Sequence, residues 1–415
     1  MRRYNTHTLA SGLRIIHCQQ EGEVAYCGYA IKAGSRDEEE GEEGLAHFCE
    51  HLSFKGTEHL SPMQVINSIE RVGGELNAYT AKEETMYYAT ILKQYFFRAV
   101  DTLTDMVFHS TYPQDEIAKE REVICDEIDS YRDSPAELIY DDFENRLLPH
   151  HPLGHNVLGT KETVRSFRTA DCLRFTGRHY RPGNAVFYVL GDIDFSALVK
   201  RLERQLPAVA PSSQPPCVVR RDASAALSHL PQNRVVCDDT QQTHQCHVMT
   251  GTILRHDLAS GRVPLFLLNN MLGGPSMNSR LNIALREKRG LVYTVEGIMT
   301  SYSDTILWGV YYGCDKTDLS RCRRLVHGQT ERFRKRALTP SALRAAKTQL
   351  KGQIALAAQQ QESFAIDMAK QYLHRGTLRS MERLCGQIDS VTSADILALA
   401  NDAIGADRLF TLVYR

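Results

Sequence analysis

Apolar residues along this chain follow two patterns. Short, nearly unbroken apolar runs bounded by turn residues read as β-strands: Val24 to Ile31, Met86 to Ile91, Ala185 to Leu190, Leu291 to Thr300, Ile306 to Tyr312 and Leu409 to Tyr414. Longer stretches with apolar positions three and four apart read as helices: Tyr95 to Ser110, Gln114 to Tyr131 and Ser341 to Gln361. A shorter helix is predicted between Gly44 and Gly56, with Leu45, Phe48 and Leu52 as its apolar side and the glycines marking its ends. Strand and helix runs do not alternate as strict βαβ units, so the pattern predicts an α+β fold and not a doubly wound sheet.

The pattern also repeats. Ser166 to Leu190 holds Thr169-Ala170-Asp171-Cys172-Leu173 followed by the apolar strand from Ala185. Ser390 to Tyr414 holds Ser393-Ala394-Asp395-Ile396-Leu397 followed by the strand from Leu409, and the two segments align without a gap at an offset of 224. A period of that size means two homologous domains and not a solenoid. Pro207 to Gln232, with its Pro-Ser-Ser-Gln-Pro-Pro run, reads as linker. The expected organisation is therefore an N-terminal domain over 1–206, a linker over 207–232 and a homologous C-terminal domain over 233–415.

The 44–56 helix carries the chemistry. His47 and His51 stand at i and i+4, one above the other on one face, and Glu50 precedes the second histidine. The order His-x-x-Glu-His is the inverted zincin pattern. Two imidazoles so spaced can take two corners of a tetrahedral zinc site, and the glutamate can act on water activated by the metal; a surface helix with two solvated histidines is the alternative. Cys49 points away from that face and reads as a small core residue. A third ligand comes from the 114–131 helix, where Ile117, Glu120, Ile124, Glu127 and Tyr131 form one stripe. That stripe embeds two carboxylates among apolar residues, and buried carboxylates are paired or bind metal. Glu127 is the ligand candidate and Glu120 a partner that orients a histidine or the ligand helix; salt bridges to Arg or Lys at the core edge are the alternative. Glu122, Asp126 and Asp129 fall off the stripe and are expected in solvent.

The second domain has no His-x-x-Glu-His. Aligning Pro113 with Pro340 sets Lys347 opposite Glu120 and Ile354 opposite Glu127, which predicts one zinc per chain. The cluster His150-His151-Pro152-Leu153-Gly154-His155 has superficial ligand spacing, but Pro152 and Gly154 break any helix, so a solvated loop is expected. The acidic run Asp37 to Glu43 could favour basic peptides; a solvated loop is again the plainer reading. Gly73-Gly-Glu-Leu-Asn-Ala-Tyr-Thr80 reads as a turn into a strand.

Composition changes the picture little. The 415 residues suffice for two cores, and 49 basic against 50 acidic residues leave no net field that would suggest nucleic acid. Eleven scattered cysteines without a Cys-x-x-Cys pair argue for reduced thiols. The start of the chain has no apolar signal core and no run reaches membrane-span length, so a cytoplasmic protein outside the membrane is expected, with a processed organellar or periplasmic form as the alternative.

Gly34-Ser-Arg-Asp-Glu38, Gly44-Leu-Ala-His-Phe-Cys-Glu-His51, Phe54-Lys-Gly-Thr57, Gly73-Gly74, Asn77-Ala78-Tyr-Thr80 and Glu120 to Glu127 together resemble the insulinase/pitrilysin family of zinc peptidases. The likeness is to its short-chain branch of processing-peptidase-like proteins. It runs on through Arg181-Pro-Gly-Asn184, Gly273-Gly274 and Leu285-Arg-Glu-Lys-Arg-Gly-Leu-Val-Tyr293, and so covers nearly the whole chain. Cys49 departs from the family's usual leucine. The resemblance implies two similar domains, each a mostly antiparallel sheet backed by helices, and one Zn2+ held by His47, His51 and Glu127. It implies that Glu50 is the general base. It also implies that Asn77 and Ala78 lie on an edge strand that pairs with extended peptide substrate, and that Arg286 and Tyr293 contact substrate and polarise the scissile carbonyl. It further implies a homodimer with shared active sites, or a heterodimer. The competing reading is a non-catalytic partner or core subunit, since the family contains degenerate members of that kind.

Overall fold

A computed structural model describes residues 3–149, 151–207, 234–238, 243–255, 262–405 and 408–415. The linker expected over 207–232 lies, apart from Pro207, outside the described residues, as does His150. Both predicted sheets form, and both are antiparallel but for one pair of strands.

The first compact unit comprises 1–129, 155–220 and 357–378. Its six-stranded sheet runs β1-β2-β6-β3-β5-β4, with β1 Arg3–Thr8, β2 Arg14–Gln19, β3 Val24–Ile31, β4 Glu75–Thr80, β5 Thr85–Leu92 and β6 Ala185–Gly191. Helices α1 (Leu45–Leu52), α2 (Pro62–Glu70), α3 (Phe96–Phe108), α4 (Gln114–Arg132), α6 (Lys161–Ser166), α7 (Thr169–His179) and α8 (Phe195–Gln205) belong to this region. α1, α3 and α7 share one core with Ile15, Tyr29, Tyr87 and Phe187 of the sheet. The sheet's opposite face is covered too, by Ala365, Met368, Ala369 and Leu373 against Ile16, Ala30, Val186 and Tyr188. Covered on both faces, β6 is buried at every position, which is why its sequence is an unbroken apolar run without alternation.

The second unit comprises 130–154, 221–356 and 379–415. Its sheet runs β7-β11-β8-β10-β9: β7 Arg234–Asp238, β8 Cys246–Arg255, β9 Val292–Ser301, β10 Thr305–Cys314, β11 Phe410–Tyr414. α5 (Pro135–Leu147) lays Leu138, Ile139, Phe143 and Leu147 on Met249, Leu412 and Tyr414. The other face is backed by α9 (Arg262–Gly273), α10 (Leu319–Lys335), α11 (Pro340–Ala357), α13 (Met381–Ser390) and α14 (Ser393–Ala403).

Two details depart from the expected organisation. The helix expected over 341–361 ends earlier, at Ala357, and after an extended Gln360 a separate helix α12 (Gln361–Arg375) begins. The units are also not contiguous halves of the chain. α5 comes from the first half and packs in the second unit, while α12 makes the reverse passage. Each sheet has an uncovered apolar face that its own half does not fill, and these two helices fill them.

A candidate metal centre

α1 begins at Gly44, whose φ of 95° lies in the left-handed region that favours glycine. A Cβ there would also stand 2.6 Å from the Leu158 carbonyl oxygen. Leu45, Phe48, Cys49 and Leu52 are fully buried; burying side chains such as Phe48 and Leu52 contributes about 1.5–3 kcal/mol each. Packing of this side of α1 turns its other face, with His47 and His51, toward α4. α4 buries Ile117, Glu120, Ile124 and Ile128, while Glu122, Asp126 and Asp129 are exposed as the stripe predicts.

His47, His51 and Glu127 converge: one ligand atom from each lies within 4.8 Å of the others. The rings of the two histidines are 4.5 Å apart. Glu127 Oε2 stands 3.9 Å from His47 Nε2 and 3.7 Å from His51 Nε2. That carboxylate oxygen is buried yet has no hydrogen-bond partner, and neither has His47 Nδ1. An unpaired buried carboxylate oxygen facing two imidazole nitrogens is costly unless a cation completes the set. Two imidazoles and a carboxylate are a donor set zinc takes, with one position left open. The residues fit the ion.

Glu120 accepts from His51 Nδ1 at 3.1 Å through Oε2, and Lys55 Nζ reaches its Oε1 at 2.6 Å. Burial pushes the Glu120 carboxyl up, but the bonds to His51 and Lys55 outweigh it and hold the group below the usual range. Burial also pulls His51 down, yet Glu120, Glu50 and Glu127 raise it on balance. His47 has no such support: burial, then the neighbouring His51, lowers it to about 3, so it stays neutral, the form that ligates. Glu50 accepts from the Thr80 hydroxyl at 2.7 Å, and burial raises its carboxyl despite that bond.

Asn77 and Ala78 sit on β4, the terminal strand of the first sheet, paired only with β5 among the described residues. Arg286 and Tyr293 lie in the second unit, Arg286 in a π-helical turn over Asn282–Glu287 and Tyr293 at the start of β9. The guanidinium is 5.9 Å from the Tyr293 ring, and Tyr293 is 86% exposed.

Sequence reasoning missed Thr80 and Lys55 as partners. Lys55 continues the spacing 47-51-55, and Thr80 closes the Asn77-Ala-Tyr-Thr motif, so both carried a signal. Two loop expectations are overturned. Within the acidic run Glu38 is fully buried, and Glu42 is gripped by Arg174 and Arg178. In the histidine cluster His151 is buried and accepts from the Leu153 N–H, and His155 bonds Glu38. Charge and histidine density alone did not reveal that each segment holds the other. Cysteines among the described residues are free thiols, and Cys49 is core, as expected.

The α+β scaffold thus sets a His-x-x-Glu-His helix against a glutamate helix, with one ligand atom from each of three side chains brought together. Residues 14–161 match the profile of "Insulinase (Peptidase family M16)" and residues 166–350 that of "Peptidase M16 inactive domain"; the chain belongs to peptidase family M16. It is 30% identical over 386 residues to an uncharacterized zinc protease of Bacillus subtilis, covering 93% of this chain and 92% of that one. A counterpart with the same description in Streptomyces coelicolor is 33% identical over 407 residues, covering 96% and 86%. Among solved structures, a protease from Helicobacter pylori superposes with a TM-score of 0.89 at 21% identity over the whole of both chains. A peptidase M16 inactive domain from Pseudomonas fluorescens gives 0.85 at 18%, covering 99% and 97%. Among the described residues no helix is long and apolar enough to cross a membrane.

Proposed function

We propose that the chain is a zinc-dependent endopeptidase acting on extended or unfolded peptides. The observation that carries this reading is the convergence of His47, His51 and Glu127 with Glu50 close by on α1, its carboxylate held by Thr80 of the edge strand. His47, His51 and Glu127 would hold the ion. Bound zinc supplies Lewis-acid chemistry, polarising a carbonyl and acidifying water. Glu50 takes the proton from the attacking water and returns it to the leaving amine. Its burial suits that role, because burial raises the carboxyl and so makes its charged form a stronger proton acceptor. Glu120 fixes His51, and Lys55 fixes Glu120.

Substrate is proposed to add to the free edge of β4 along Asn77 and Ala78, so that main-chain pairing selects extended peptide. Arg286 and Tyr293 are suitable donors to a developing oxyanion. We assign them to sites shared across a homodimer, because the zinc set and the Arg/Tyr pair occur in one chain and two-fold symmetry would complete two sites. Mixing Glu50→Gln with Arg286→Ala chains tests this: random exchange should return activity to about one quarter of wild type. No recovery despite proven exchange contradicts the shared site.

The reading as a whole is tested by incubating the protein with an unstructured peptide and with a stably folded globular protein. Cleavage of the peptide alone, abolished by a zinc chelator and restored by added zinc, is expected. Rapid digestion of the folded protein, or chelator-resistant cleavage, contradicts it.

A further inference from the structure

The two candidate histidine ligands are not held alike. His51 has its Nδ1 on Glu120, whereas His47 Nδ1 is buried without a partner. The orientation of His47 therefore rests on the backbone of the first turn of α1 and on packing. That turn has no capping side chain of its own, since Gly44 occupies the cap. Its N–H groups turn instead to a carboxylate distant in sequence. Glu38 accepts from Gly44 N–H at 3.0 Å and from Ala46 N–H at 2.8 Å, one oxygen to each.

Glu38 is itself anchored. Its side chain is fully buried, and His155 Nε2 meets Oε2 at 2.8 Å. The buried Lys82 bonds the His155 carbonyl oxygen. The backbone just before Glu38 pairs with the segment that follows β4: Ser35 N–H to Ala81 O at 3.1 Å and Arg36 N–H to Lys82 O at 2.8 Å. The carboxylate thus joins the first turn of α1 to the His155 segment, and the backbone before it pairs with the segment that follows Thr80. Burying a carboxylate is expensive, and two N–H donors at a helix start plus an imidazole are what offsets it.

We propose that Glu38 is a positioning residue for His47: it fixes the first turn of α1 as Glu120 fixes His51, so that the two halves of the ligand pair are set by different carboxylates. This rests on the metal-centre reading above.

The experiment measures zinc affinity by chelator competition, the absorption bands of the cobalt-substituted protein, and the thermal midpoint of the metal-free protein. Wild type is compared with His47→Ala, Glu38→Ala, Glu38→Gln and His155→Ala. Glu38→Ala should bind zinc about 10- to 100-fold more weakly, the range for residues that orient ligands, with altered cobalt bands. Glu38→Gln, which keeps an acceptor, should recover part of the affinity, and His155→Ala should weaken it less than Glu38→Ala does. Should Glu38→Ala fail to fold, Glu38→Gln and His155→Ala carry the comparison, both with weakened zinc binding. A lowered thermal midpoint with wild-type zinc affinity and cobalt bands makes Glu38 merely structural and overturns the proposal. If instead wild-type zinc binding does not depend on His47, the metal-centre reading fails before Glu38 is at issue.

Discussion

The helices after the central strands of the two sheets occupy the same place in one topology and do opposite things. In the first sheet β3 lies between β6 and β5, and in the second β8 lies between β11 and β10. α1 follows β3 with two histidines and a glutamate, and leaves a buried imidazole nitrogen and a buried oxygen of its partner Glu127 without hydrogen bonds. α9 follows β8 with Asn269, whose amide bonds at both ends: it accepts from Trp308 Nε1 at 3.0 Å and donates to Gly297 O at 2.9 Å. Close approach to β9 is tight, since a Cβ on Gly273 would stand 2.5 Å from Gly297 N. α4 carries Glu120 and Glu127 where α11 carries Lys347 and Ile354. The same place in the topology thus carries candidate metal ligands in one unit and a hydrogen-bonded packing contact in the other, and the difference rests on a handful of side chains.

Glu50→Gln should keep zinc while lowering turnover of an unstructured peptide by about 10²–10⁴-fold, the range for a lost general base. Steady-state kinetics on the zinc-loaded variant measures it, and near wild-type turnover removes Glu50 from the proton transfers. Next in size, Glu127→Ala should weaken zinc binding by more than about 100-fold, since a ligand should exceed the outer-shell range, and Glu120→Gln by about 10- to 100-fold. Chelator competition on both variants gives the order, which is the sensitive part of the claim.

A pH scan sharpens the contrast away from the metal. His179 ends α7, and the equivalent position at the end of α14 is Ala403, at the same offset of 224. Burial, then the charge of Arg178, lowers His179 to about 4 from 6.5. The unfolded chain therefore takes a proton near pH 6.5 that the folded chain refuses until near pH 4. Stability should fall by about 3 kcal/mol as pH drops through that window and be retained above it. The thermal midpoint of His179→Gln should be flatter with pH over the same range; an unchanged slope assigns the acid sensitivity elsewhere. The smallest effect is in the second unit. Asn269→Leu strands the Trp308 N–H and the Gly297 carbonyl and should cost about 2 kcal/mol of stability. Zinc content should not change, and a loss of zinc would mean the two helices are less separable in role than drawn here.

How much of this the sequence showed depends on whether the signal was local. β3 and β6 were legible because unbroken apolar runs end sharply at turn residues. The α4 stripe was legible because two glutamates at apolar spacing conflict with burial. The exchange of α5 and α12 was not, since periodicity shows that a helix has an apolar face but not which sheet receives it. Glu38 and His155 look solvated in the sequence because each lacks a visible partner until the chain brings them together from 117 residues apart. Thr80 was visible as part of a motif, but only the fold sets its hydroxyl on Glu50.

In the proposed centre His47, His51 and Glu127 hold one zinc per chain, and Glu50 acts beside it without holding it. Metal analysis of the purified wild type, Glu127→Ala and Glu50→Gln tests this most directly. The expected result is one zinc per chain in wild type and in Glu50→Gln, with depletion in Glu127→Ala. Full zinc in Glu127→Ala together with depleted zinc in Glu50→Gln would contradict the assignment.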